Sequence, residues 1–363
     1  MSRVAEFSVH HSAFLGPDGR PLLPFPKALA GPQTLKTLYR WMVLNRCFDA
    51  KAIALQRTGR LGTYASSLGQ EAVGIGIGHA MHPDDVLLPS FREHGVQLYR
   101  GVGIDELLLY WGGDERGSDF AGPVEDFPVS ITVGGHAPHA AGVALAFKLR
   151  GEARAAVCVF GDGATSKGDF YEAMNVAGVW QLPVVFVITN NQWAISVPRA
   201  EQSAAETLAQ KAVAAGFSGE QVDGNDVIAV SHVVGKAIDA ARQGAGPHLV
   251  ECLTYRLGDH TTVDDASRYR DDAEVSGWWQ KDPIMRLRLY LTETAGWDKA
   301  DETRTLAECD AEVESAAQKY LAVQPQAPES MFDYLYAELP RDLEQQRAAM
   351  VEHARRANGT PDD

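Results

Sequence analysis

Long apolar runs are missing from this 363-residue chain. No stretch approaches the roughly 20 uninterrupted apolar residues of a membrane-spanning helix, so neither a span nor a membrane partner is expected. Cysteine is scarce: Cys47, Cys158, Cys252 and Cys309 stand far apart and outside any CxxC spacing. That argues against a disulfide framework or a structural zinc site and fits a reducing compartment. The opening MSRVAEFSVHHSAF carries no apolar run of signal-peptide kind, and the expected location is cytoplasmic. Basic residues are also in deficit, 33 Lys and Arg against 48 Asp and Glu, for a formal net charge of −15. Phosphate neutralisation along a duplex needs the opposite balance, so no nucleic-acid partner is expected. The phosphate cradles GxGxxG and GxxxxGK[ST] are absent, as is HExxH, which removes the usual dinucleotide, P-loop and zinc-hydrolase readings. His79 with His82, and His136 with His139, have a helical spacing but no third ligand at a useful distance.

What is present is glycine, 34 residues, and enough apolar material (45 %) for one large core or two smaller ones. Residues 1–33 are polar and proline-rich and read as an extended N-terminal arm; 34–340 read as one α/β domain, and 341–363 as a C-terminal tail, frayed after about Ala348. Thr34 is a candidate cap for a first helix that ends near Gly59, and a second helix is expected from about Gly69. Ala155–Phe160 and Val184–Thr189 are short, unalternating apolar runs around one helical stretch, the signature of a βαβ unit. Further helices are expected over Thr207–Ala215, Ile228–Arg242, Asp282–Leu291 and Asp301–Leu321, with strands near FSGEQVDG and over His248–Arg256. The acidic, irregular stretch 258–281 reads as an active-site or partner-binding loop. The fold class is therefore α/β, a mostly parallel central sheet flanked by helices.

The chemistry concentrates where the first of these strands ends, at Gly161-Asp162-Gly163. Open α/β sheets bind ligands at the carboxyl ends of their strands. Two glycines permit close backbone approach there, and Asp162 offers a hard carboxylate oxygen. The next strand ends in Asn190-Asn191. One crossover brings both strand ends to the same edge, so Asp162 and Asn191 can converge on one ion. Carboxylate and amide oxygens without a thiolate suit Mg²⁺ completed by phosphate, a backbone carbonyl and water. A tight turn and an Asx-capped strand end would explain GDG alone, but not its pairing with NN.

The stretch GDGATSKGDFYEAMNVAGVWQLPVVFVITNN resembles the thiamine diphosphate motif, GDG followed by NN. With GRLGTYASSLGQEA (59–72), PSFREHG (89–95), NNQWAIS (190–196), QVDGND (221–226) and YRLGDHTTVDDASRYR (255–270), the chain resembles the alpha subunit of the E1 component of 2-oxo acid dehydrogenase complexes. The resemblance implies a thiamine diphosphate-binding fold, with thiamine diphosphate and Mg²⁺ as cofactors. It implies an E1 beta subunit in an α₂β₂ heterotetramer that supplies the activating glutamate, leaving Glu71 a packing or interface role. It further implies a small 2-oxo acid substrate, and acyl transfer to the lipoyl domain on the core of the E2 acyltransferase. The cofactor supplies the electron sink for loss of CO₂, while the protein fixes geometry and protonation. The GRLGTYASSLGQEA and GDFYEAMNVAG stretches look more like pyruvate members; branched-chain 2-oxo acid and acetoin members are the alternatives. A noncatalytic subunit that kept the fold is the reading from another class, and retention of Asp162, Asn191 and Arg92 weighs against it.

Residue by residue, the resemblance assigns the metal to Asp162, Asn191 and the backbone carbonyl of Trp193. It assigns the diphosphate to the backbone of Gly163 and Ala164, aided by the following helix N-terminus, and to the guanidinium of Arg92. Phe91 stands where the family usually has tyrosine, keeping the ring and losing the hydroxyl. Ile131 and Val133 fall where the family holds the thiamine ring. His260 matches a histidine at the mouth of the pocket, able to donate to a 2-oxo acid or to stay bonded to Asp259 or Asp264. His136 replaces the family's commoner glutamine and reads either as a proton group or as a packed ring. Tyr269 and Arg270 belong to the same loop, where Thr261 and Thr262 occupy positions that carry regulatory serines in some members.

Overall fold

Apolar runs that do not alternate with polar residues belong to strands covered on both faces. The computed structural model, which describes residues 2–333 and 335–357, has four such strands in a parallel sheet of six, whose other two, His11–Ser12 and Gly219–Asp223, are polar and only partly covered. The six are β1 (His11–Ser12), β2 (Val86–Leu88), β3 (Ala156–Gly161), β4 (Val184–Asn190), β7 (Gly219–Asp223) and β8 (His248–Leu253), in the order β1-β7-β8-β4-β3-β2. A small antiparallel hairpin, β5 (Trp193–Ala194) with β6 (Val197–Pro198), follows β4. The helices before the βαβ centre are α1 (Pro32–Arg57), α2 (Glu71–Ala80), α3 (His94–Arg100), α4 (Ile104–Trp111) and α5 (Ala137–Arg150). After β3 come α6 (Gly168–Trp180), the short α7 (Arg199–Gln202) and α8 (Lys211–Ala214), and α9 (Val227–Arg242). The chain continues through α10 (Asp272–Trp279), α11 (Pro283–Thr294), α12 (Lys299–Ala322) and α13 (Arg341–Ala357).

Side chains alternate across the sheet and divide the core in two. Cys158, Phe160, Phe186 and Ile188 face α5 and α6, while Val157, Val159, Val185 and Val187 face α2 and α9. β3 and β4 are paired so that Gly161 lies opposite Thr189. Asp162 and Asn191 consequently leave neighbouring strand ends on the same edge. Among the described residues no helix is long and apolar enough to cross a membrane.

Several local expectations differ from the structure, each for an identifiable reason. α1 starts at Pro32 after Gly31, not at a Thr34 cap, because proline at the first helical position costs no needed N–H. The helix expected over Thr207–Ala215 is only Lys211–Ala214. Thr207 and Gln210 bond each other's backbone through their side chains, which holds a turn where helix was expected. The stretch 258–281 is not irregular throughout: Asp271 caps α10 by accepting from Ala273 N–H. Proline-rich residues near the N-terminus supply β1, and Asp226 accepts the Phe14 and Leu15 N–H groups beside it.

The chain divides into two compact units, Met1–Tyr320 and Leu321–Asp363. The second contains a 3₁₀ turn at Pro328–Phe332 and α13, so 349–357 is helical where fraying was expected; residues 358–363 of the expected tail lie outside the described residues.

Candidate active site

At the carboxyl edge of β3 and β4 lies a cavity of about 570 Å³. Phe91, Arg92, Ile131, Val133, Asp162, Gly163, Ala164, Asn191, Trp193 and His260 all line it. Of the expected site residues only His136 stands apart. It is buried at the start of α5, its Nε2 lies 2.9 Å from the Val159 carbonyl oxygen, and its ring packs edge-on to Phe160. Burial lowers its pKa, favouring the neutral, packed ring.

Three oxygens meet at the cavity floor. Asn191 Oδ1 is 3.2 Å from Asp162 Oδ1 and 3.0 Å from the Trp193 carbonyl oxygen. The amide's nitrogen points the other way and donates to Gln70 Oε1 at 3.1 Å. Reversing the amide lets its nitrogen donate to both oxygens, and turning Gln70 with it presents Gln70 Nε2, otherwise without a partner among the described residues, to the Asn191 oxygen. The Asn191 amide thus sits where its nitrogen can bond Asp162 and the Trp193 carbonyl or, turned the other way, its oxygen can join theirs around a small divalent cation. Asp162 is almost wholly buried, and burial raises its pKa, opposed first by a 2.7 Å bond from Gln202 Nε2 on α7. Among the described residues no group of three or more His, Cys, Asp or Glu could hold a metal alone. Amide and carbonyl oxygens, and a ligand's own oxygens, must therefore complete the set. The residues present fit Mg²⁺.

The loop that carries this floor is strained. Gln192 (φ 73°) and Ile195 (φ 55°) are both left-handed, which is costly for a β-branched side chain. Arg256 holds the loop in place, donating to the Ile195 carbonyl at 2.8 Å and the Trp193 carbonyl at 3.3 Å. Glycine is required at 163 for a different reason: a Cβ there would lie 2.7 Å from Ala194 Cβ, so the GDG turn packs directly on the hairpin. That turn is a 3₁₀ segment, Asp162–Ser166, and α6 starts only at Gly168. The expected helix N-terminus is thus displaced from Gly163 and Ala164 by one turn.

Above the floor, two guanidiniums, Arg92 half-buried and Arg256 fully buried, are left without a carboxylate partner among the described ion pairs. Arg92 donates to the Ser66 carbonyl and, through Nη2, to the His260 carbonyl, both at 2.6 Å. Its pKa is pushed down to about 10 by burial and then by Arg256. Arg256 Nε has no hydrogen-bond partner among the described residues. Arg92 lines the cavity and Arg256 lies behind its wall, 3.3 Å from His260 Nδ1; their combined positive field favours an anion of more than one charge. His260 Nδ1 lies 2.9 Å from Arg92 Nη2 and 3.3 Å from Arg256 Nη1. Both are obligate donors, so Nδ1 accepts and the ring proton sits on Nε2. Burial and the two arginines push the His260 pKa down to about 4, keeping the ring neutral near pH 7. Its backbone N–H, not its ring, bonds Asp264, at 2.8 Å. Tyr269 closes this network, accepting from Arg256 Nη2 at 2.8 Å.

The hydrophobic wall is formed by Ile131 and Val133, 57 % and 43 % exposed, after which Gly134 turns at φ 74°. Phe91 lies edge-on to His260 at 6.1 Å and under the Arg92 guanidinium at 5.2 Å. Glu71 is turned away: it is buried in an ion pair with Arg46 at 2.8 Å and accepts from Gly69 N–H. Sequence reasoning missed Arg256, Gln70 and Gln202. Arg256 stood in the quoted YRLGDH stretch, where its position four residues before His260 was the available signal. Gln70 likewise stood in the quoted GRLGTYASSLGQEA stretch, whereas Gln202 lies outside every quoted stretch and reaches Asp162 across 40 residues.

The family model described as Dehydrogenase E1 component matches residues 39–329. A protein of Mycoplasma genitalium named pyruvate dehydrogenase E1 component subunit alpha is 38 % identical over 330 residues, covering 91 % of this chain and 92 % of its own length. Proteins of the same name from Acholeplasma laidlawii and Bacillus subtilis are 42 % and 40 % identical, each covering 86 % of this chain and respectively 92 % and 84 % of their own lengths.

Proposed function

Since the chain belongs to the dehydrogenase E1 component family, as the alpha subunit of a 2-oxo acid dehydrogenase, we propose that it binds thiamine diphosphate and Mg²⁺ and, with a separate beta subunit, decarboxylates pyruvate and passes the acetyl group to a lipoyl domain of an acyltransferase. The observation that carries this reading is one cavity lined by the Asp162 carboxylate, the Asn191 amide and Trp193 together with the Arg92 guanidinium, which has no carboxylate partner among the described ion pairs and is backed by Arg256. It is a site for a cation and a multiply charged anion together. Asp162, Asn191 and the Trp193 carbonyl would hold the metal, while Arg92, Gly163 and Ala164 would hold the diphosphate. Bound there, thiamine diphosphate supplies an electron sink for loss of CO₂.

This chain's own residues do the rest. Arg256 keeps the Trp193 carbonyl in place, Gln202 orients the Asp162 carboxylate, and Ile131 and Val133 offer apolar cover to a ring. His260, neutral with its proton on Nε2, is a donor for a substrate oxygen at neutral pH. An anion beside Arg92 and Arg256 offsets the positive field that depresses its pKa, so ligand binding raises its basicity. A beta partner is supported by exposed apolar side chains on α5 and α6, among them Leu149, Val176, Val179 and Trp180.

Assay of the chain co-assembled with its beta subunit, Mg²⁺ and thiamine diphosphate tests the reading. Pyruvate is expected to give the higher kcat/KM for CO₂ release. Preference for 3-methyl-2-oxobutanoate would assign the branched-chain reaction instead, and acetoin cleavage without 2-oxo acid turnover would reject both. Phe91→Tyr supplies a finer check. A hydroxyl on this ring is expected to tighten diphosphate binding by about 0.5–1.5 kcal/mol, the net worth of one hydrogen bond. Calorimetric titration would read it, and a weaker complex would mean that the ring edge does not face the anion.

A further inference from the structure

One buried cation beside the GDG turn has no place in the chemistry above. Lys211, on α8, is 7 % exposed, and its ammonium pairs with no carboxylate among the described residues. Nζ donates to the Thr165 carbonyl at 2.8 Å and lies 2.9 Å from Thr165 Oγ1. It also sits 5.3 Å and 5.9 Å from the ring centres of Tyr171 and Phe170. The Thr165 hydroxyl in turn donates to the Asp162 carbonyl at 2.8 Å. Lysine, threonine and the metal-site turn thus form one relay. The backbone that presents the lysine is itself anchored, because Ala209 N–H donates to Glu251 of β8 at 3.0 Å.

Burying an ammonium without a counter-charge is unfavourable, and carbonyl dipoles and ring faces offset only part of that cost. An anion on the other face of the turn supplies a further compensating interaction, through a medium that screens little. We propose that Lys211 is a positioning residue of the diphosphate site: through Thr165 it fixes the Asp162–Ser166 turn, and its uncompensated charge strengthens anion binding there. This rests on the cofactor reading given above.

The test uses the full chain assembled with its beta subunit and titrated with thiamine diphosphate and Mg²⁺. Lys211→Met keeps the side-chain length and removes the charge. Its ligand-free melting temperature is expected to equal or exceed that of the parent, since an apolar replacement for a buried charge is often neutral or stabilising. Its affinity for thiamine diphosphate is expected to fall roughly 10- to 100-fold, the range of hydrogen bonds to charged groups. A packing role alone would give the reverse split, a lower melting temperature with affinity retained, and would overturn the proposal. Thr165→Val severs the same relay and should weaken binding similarly, with the double variant no worse than the weaker single one. If Lys211→Met does not fold, Thr165→Val decides: lost affinity supports the relay and unchanged affinity overturns it. Failure of the parent assembly to bind thiamine diphosphate with Mg²⁺ would instead overturn the cofactor reading, and this inference with it.

Discussion

Asp162→Ala is expected to abolish Mg²⁺-dependent thiamine diphosphate binding while leaving the ligand-free fold intact. The carboxylate is the one charged member of the three-oxygen floor, and its loss should exceed the roughly 10- to 100-fold effect typical of outer-shell partners. Its effect on stability has the opposite sign. Burial raises the Asp162 pKa, so at pH 7 the folded chain carries a charge it disfavours, and this penalty fades as pH falls through the raised value. The ligand-free variant should therefore melt at the same temperature as the parent or slightly higher at pH 7, and the cofactor-induced rise should vanish. Asn191→Ala should act in the same direction with a smaller loss, because only a neutral oxygen is removed. Calorimetry with Mg²⁺ and thiamine diphosphate, paired with thermal melts, reads both quantities. Parent-like affinity in the Asp162 variant would refute the metal assignment.

The second large effect concerns the isolated chain, which is expected to release no CO₂ from 2-oxo acids until a beta subunit is added. Thiamine chemistry requires a carboxylate at the cofactor's aminopyrimidine. Two carboxylates line the cavity here, Asp162 and Glu93. The first belongs to the oxygen floor. The second accepts from the Arg92 backbone N–H at 3.1 Å, and burial raises its pKa to about 7. Glu93 is thus tied to the backbone of its own loop. Glu71, the other nearby glutamate, is held by Arg46. Size-exclusion with light scattering should register an assembly of two alpha and two beta chains, and activity should rise with beta until the two are equimolar. Robust turnover by chain rigorously free of beta would defeat the shared-site reading and make Glu93 the first residue to mutate.

How far the site could be read in advance depended on the range of each contact. Asp162 and Asn191 were legible because each ends an apolar strand, and a single crossover forces parallel strand ends onto one edge. Phe91, Arg92 and His260 were legible only through resemblance, since no local pattern separates a buried ligand arginine from a solvated one. His136 shows the opposite limit. Its place just after Gly134-Gly135 suggested a role in the pocket, but as the residue that opens α5 it turns its ring under β3, where Val159 and Phe160 take it.

The sequence by itself determined the parallel α/β class, the strand ends at which a ligand could sit and the hard-oxygen character of the residues proposed for the metal. Those properties are local: apolar periodicity, turn glycines and side-chain chemistry decide them within a few residues. Only the tertiary structure decided that the Asn191 amide lies between Asp162 and Gln70, and that Arg92 and Arg256 meet at His260. It likewise decided that Lys211 stands behind the GDG turn without a carboxylate. These are matters of distance and desolvation between groups far apart in the chain. A charge's energy depends on what surrounds it once water is removed, which no window of sequence contains.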